Sequence, residues 1–176
     1  MSESNATLTA AVIGAVIGGV IGICGSLVSF FVSERRKQAE LENRSNKDLI
    51  AELEQNKRYQ ATGPFIDLED GAYKRLRERG FFYDLSIDLQ NDLQELYASI
   101  HEKNDLIAYY NRAGAASMAA ESLITHRATE YDAMHARMLR GIMDVIQPKE
   151  QKIVSLIDKV LPQLRNLLKT QGNSLK

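Results

Sequence analysis

Apolar residues are distributed unevenly along this chain, and their spacing predicts its elements. From Leu8 to Val32 there are 25 consecutive residues with no charged side chain. At roughly 1.5 Å per residue, a helix of that length exceeds the roughly 30 Å hydrocarbon core of a bilayer. The stretch therefore predicts one transmembrane helix over 8–32, since a buried helix of a soluble domain would need protein on every side. The preceding MSESNAT carries only Glu3, which does not fit the basic start of a cleavable signal peptide. Bulky Ile23 also stands where lipid attachment at Cys24 would want a small residue. The stretch is expected to stay on the chain as an anchor.

Small residues repeat within the span. Ala10, Gly14, Gly18, Gly22 and Ser26 recur every four positions, with Ala11, Ala15 and Gly19 as a neighbouring row. In lipid, helices associate by close packing, and small-xxx-small rows let backbones approach, so this face predicts a homo-oligomer. Directly after the span come Arg35, Arg36 and Lys37, and nothing basic precedes it. The positive-inside rule then orients the chain in the cell (inner or plasma) membrane. Residues 1–7 form a short outer tail, and everything after the span is cytoplasmic.

Residues 33–60 carry 13 charges, 7 basic and 6 acidic, without Pro or Gly. They read as a charged helical stalk over 33–61, stabilised by pairs such as Glu54 with Arg58. A heptad register through Asn43 and Asn46 makes a poor coiled-coil seam. Thr62-Gly63-Pro64 marks a boundary, because Pro64 disfavours helix at Gly63.

Beyond it, a short helix is expected around Glu69–Arg79, stopped by Gly80. A long amphipathic run follows from near Asp84, with Leu85, Leu89, Leu93, Leu96, Ile100, Ile107 and Tyr110 on one face. Gly114 is expected to interrupt it. A third run, Ala115–Gln147, aligns Leu123, Ile124, Tyr131, Met134, Met138, Ile142 and Val145, and Pro148 ends it or opens the next. The last run puts Ile153, Ile157, Val160, Leu164 and Leu167 in step, with Pro162 expected to kink or split it. No segment alternates with the period of a strand. The fold class is therefore all-α: one N-terminal transmembrane helix, the stalk, a cytoplasmic antiparallel helical bundle over 62–170 and a flexible tail at 171–176.

Charge refines this picture. The whole chain has 22 Lys+Arg against 23 Asp+Glu, which gives nucleic-acid binding no support. Residues 148–176 are locally basic, with six cations against Glu150 and Asp158. This last helix is expected to pack on the bundle beside acidic neighbours rather than lie on the inner leaflet.

Candidate chemistry is sparse. A lone cysteine removes any disulfide framework. Asp132 and His135 sit three apart beside Glu130, but a di-iron bundle needs Glu-x-x-His from two helices, so no metal or other cofactor is expected. His101 and His126 have no partner pattern. The aromatic groups Tyr109-Tyr110 and Phe81-Phe82-Tyr83 are read as capping the bundle core. Asn104 and Asn111 lie near the core stripe, where an amide either fixes register through a buried hydrogen bond or simply sits at the stripe's edge. The sequence thus favours a non-enzymatic membrane scaffold, adaptor or regulator that holds a protein partner through its bundle. A multimeric pore is the alternative, although the span has no charged group to line a water path.

Overall fold

The structure, a computed structural model, describes the backbone of residues 2–121 and 128–174. Side chains are described for all of these except 2–17, 20, 116–121, 128–132, 134, 135 and 171–174. Among the described residues the chain is all-α, as expected, with no strand. It forms α1 (Ser2–Thr62), α2 (Gly71–Glu78), α3 (Ile87–Glu121) and α4 (Ala128–Ser174), with a 3-10 turn at Phe81–Asp84. Two compact units divide within α1, Met1–Glu42 and Asn43–Lys176.

In the first unit, the described large apolar side chains, from Ile21 through Phe30 and Phe31 to Val32, are exposed. The expected outer tail is helical from Ser2. Among the described residues no helix is long and apolar enough to cross a membrane. Residues 8–17 of the expected span, and Val20, lie outside the described side chains.

The second unit is an up-down-up-down bundle whose second element is only half helix. α1 rises to Thr62, and residues 63–70 with α2 run back beside it. The pairs Asn56 with Glu69, Glu52 with Ala72, and Ser45 with Arg79 set that antiparallel register. α3 rises next to the returning segment, through Asn104 with Leu68 and Tyr97 stacked on Tyr73. α4 then descends against both long helices.

One core joins all four elements. It contains Leu49 and Leu53 of α1, Leu68, Leu76 of α2, Phe82, the α3 stripe Leu89, Leu93, Leu96 and Ile100, and the α4 stripe Ile153, Ile157, Val160 and Leu164. Each fully buried aliphatic side chain contributes about 1.5–3 kcal/mol by leaving water. The expected α3 and α4 stripes are both buried, with Tyr110 and Leu167 half-buried at their ends.

The domain boundary differs from the sequence expectation. The compact unit begins at Asn43 rather than at Thr62, so most of the expected stalk, residues 43–61, is the first helix of the bundle. Its buried face mixes Leu49 and Leu53 with Ser45, Asn46, Glu52 and Asn56, and those polar residues hide the apolar period.

Breakers also behave differently. Gly114 lies inside α3, which continues to Glu121 and so takes in the start of the expected third run. Pro148 and Pro162 lie inside α4, which joins residues 128–147 of that run to the last one. A proline removes the hydrogen bond to the carbonyl four residues earlier. Here both prolines and the residues supplying those carbonyls, Asp144 and Asp158, are exposed, so water can satisfy the freed oxygens. Of the expected tail at 171–176, residues 171–174 belong to α4, and 175–176 lie outside the described residues.

α2 ends as the sequence predicts. Gly80 adopts φ 81, a left-handed conformation that costs glycine nothing, and its N–H donates to the Arg77 carbonyl at 3.0 Å. Ser86 starts α3, its hydroxyl accepting from the Leu89 N–H at 3.4 Å.

Candidate functional site

The most organised chemistry in the bundle lies along the returning segment 63–80. Residues 63–70 of this segment lie outside any helix, so their N–H and C=O groups need side-chain partners. Asn56 of α1 supplies a matched pair, donating to the Glu69 carbonyl at 2.7 Å and accepting from the Glu69 N–H at 2.7 Å. Asn104 of α3 does the same for Leu68, at 2.8 and 3.0 Å. Two amides thus hold two consecutive residues from opposite sides. Of the two roles open to these amides, Asn104 takes neither, since it anchors this strap, and Asn111 is exposed at the edge of the stripe.

A buried carboxylate continues the seam. Asp70 stands at the N-cap of α2 without a side-chain capping bond. Instead Glu52, only 5% exposed, reaches across from α1 and accepts from the N–H groups of Ala72 and Tyr73. It also accepts from the Tyr97 hydroxyl at 2.6 Å. Negative charge at a helix N-terminus is favourable, and three donors offset its desolvation. Burial, reinforced by the Glu52 charge, holds the Tyr97 phenol well above its usual pKa. Burial also raises Tyr73, against the opposing effect of Arg77. The two phenol rings stack with centroids 4.0 Å apart and planes 3° from parallel. With its partners all internal, Glu52 acts here as a structural cap.

Asp70 faces outward, paired with Lys74 at 2.7 Å and His101 at 3.4 Å. His126, Glu130, Asp132 and His135 lie outside the described side chains. Among the described residues no group of three or more His, Cys, Asp or Glu could hold a metal ion.

A ladder of charge joins α4 to its neighbours. Asp92 meets Lys159 at 2.6 Å, Glu95 meets Lys152 at 2.9 Å, Lys103 meets Glu150 at 2.9 Å, and Glu102 meets Lys149. On α1, Glu54 meets Arg165 at 2.7 Å and Lys57 meets Asp158. The basic last helix thus packs on the bundle with acidic partners, as expected. Hydrogen bonding from Lys149 lowers the Glu102 pKa, and bonding to Asp92 raises that of Lys159. Exposed pairs of this kind add little stability. Lys103 is fully buried, so its bond to Glu150 keeps an interior charge compensated.

Of the small-residue row, Gly18, Gly22 and Ser26 are exposed, and a Cβ placed on Gly18 or Gly22 would meet nothing within 4 Å. Ala10 and Gly14 lie outside the described side chains. Arg35, Arg36 and Lys37 are exposed, with Lys37 3.9 Å from Glu34. Phe81 and Phe82 enter the core as expected, whereas Tyr83 and Tyr109 point outward.

Sequence reasoning missed Glu52 and Asn56. Their only signal was polar residues spaced four apart on the face that carries Leu49 and Leu53.

No known protein family, curated protein or solved structure matches this chain.

Proposed function

We propose that this chain is a single-pass membrane protein, with residues 8–32 as its anchor, whose helical bundle acts on the cytoplasmic side as a non-enzymatic scaffold, adaptor or regulator. The observation that carries this reading is the uncharged run from Leu8 to Val32 followed at once by Arg35, Arg36 and Lys37. Such a run is costly to leave in water and long enough to span lipid, and its basic flank sets the orientation. Two features support the bundle's role. It has a core of its own that begins at Asn43, and its buried Glu52 carboxylate is committed to helix capping.

Association of anchors through Ala10, Gly14, Gly18, Gly22 and Ser26 would gather several bundles at one place on the membrane. The exposed glycines have room for larger side chains in a single chain, so Gly18→Leu tests packing between copies without disturbing the copy itself. It is expected to weaken association in a membrane two-hybrid assay, and an unchanged signal contradicts the oligomer.

Cys24, the only cysteine, reports the anchor. In intact membranes its thiol should resist a water-soluble maleimide and react only after denaturation in SDS. Labelling in intact membranes at the rate of a free thiol contradicts the reading.

A further inference from the structure

Among the described residues of the bundle unit, Tyr83 and Ile87 are large hydrophobic side chains left bare, 65% and 66% exposed. They stand four positions apart at the corner where the 3-10 turn passes into α3. The other bare side chains of this unit, Tyr109 and Val145, belong to the far half of the α3–α4 pair. The corner shares an end of the bundle with Asn43, because Arg79 donates to the Ser45 hydroxyl at 3.1 Å.

That end is also rich in cations. Arg44, Lys47, Arg75, Arg77, Arg79 and Lys169 are all exposed, and they outnumber the nearby carboxylates Glu42, Asp48, Glu78, Asp84 and Asp88, with Asp92 already paired to Lys159. An exposed phenol and a branched aliphatic chain beside basic residues match the interfacial region of a bilayer. There, amphipathic rings sit at headgroup level and cations meet anionic lipid.

We propose that this corner docks on an anionic lipid surface. The inference rests on reading residues 8–32 as the anchor. Only residues 33–42 separate Val32 from Asn43, and ten residues reach at most about 35 Å even when fully extended. The tether therefore keeps Asn43 within about that distance of the end of the anchor, and docking would hold the bundle against the membrane.

The chain contains no tryptophan, so Tyr83→Trp gives a single fluorescent probe. The full chain carrying it is reconstituted into phosphatidylcholine vesicles, with or without about one-third phosphatidylserine, and quenched by lipids with brominated acyl chains. In the anionic vesicles we expect a blue shift and about twofold stronger quenching, as suits a ring at the headgroup–acyl boundary. The added substitutions Arg44→Glu and Lys47→Glu should abolish the difference, and Tyr109→Trp should show none. Protein that floats with both vesicle types while the Tyr83→Trp probe stays equally unquenched overturns the docking and leaves the anchor standing. A blue shift without quenching also overturns it, by placing a second protein surface on the corner. Protein that floats with neither vesicle overturns both readings.

Discussion

A carboxylate beneath a helix start survives burial only when its oxygens meet donors, and Glu52 meets three. Glu52→Ala would strand two α2 N–H groups and the Tyr97 hydroxyl together, so we expect a loss of about 3 kcal/mol or more. Asn104→Ala, which strands one N–H and one C=O of Leu68, should cost about 2 kcal/mol. Urea unfolding measures both, and losses within about 0.5 kcal/mol, the range of an ordinary surface change, contradict the strap's dependence on these side chains. Tyr97 adds a pH dependence. The unfolded chain releases its phenolic proton near pH 10.0, while the folded chain holds it to higher pH. Its contribution is therefore intact below pH 10.0 and lost as pH rises beyond it. Thermal unfolding followed from neutral to alkaline pH should show the midpoint falling through that window, and a flat profile contradicts the buried phenol. These groups were hard to see in the sequence because their partners are backbone atoms. Asn104 stood out beside a core stripe, but nothing in its spacing shows that it holds Leu68.

Whole elements were more legible where apolar residues alone define the buried face. The stripe from Leu85 to Ile107 and that from Ile153 to Leu164 are buried as their period predicts, and Gly80 ends α2. The first bundle helix is helical as expected but reads as a solvated stalk, because Asn46, Glu52 and Asn56 share its inner face with Leu49 and Leu53. Asn46 is fully buried with neither amide atom bonded, a polar intrusion that no hydrophobic pattern anticipates. Leu53→Ala should therefore cost about 2–5 kcal/mol, as for a core position, rather than the small change expected on a solvated stalk. Prolines misled in the opposite direction, since hydration of a freed carbonyl lets a helix continue. Pro162→Ala restores the missing N–H and relieves the ring's clash, so it should stabilise the fold, by up to about 3 kcal/mol. A lower unfolding midpoint for that variant would show instead that the proline assists α4.

At the scale of the whole molecule, two compact units of different character share one chain. The bundle from Asn43 onward closes its own core and pairs α4 with α3 and α1 in one antiparallel register. The first unit holds apolar side chains that remain exposed, and lipid is the cover we propose for them. The functional account depends on that cover more than on any feature of the bundle. Alkaline carbonate extraction of membranes from cells making the full chain tests it most directly, because the treatment strips proteins held only by charge or by a partner. The account predicts that the chain stays in the membrane pellet and is released only by detergent. Recovery in the carbonate supernatant would contradict it.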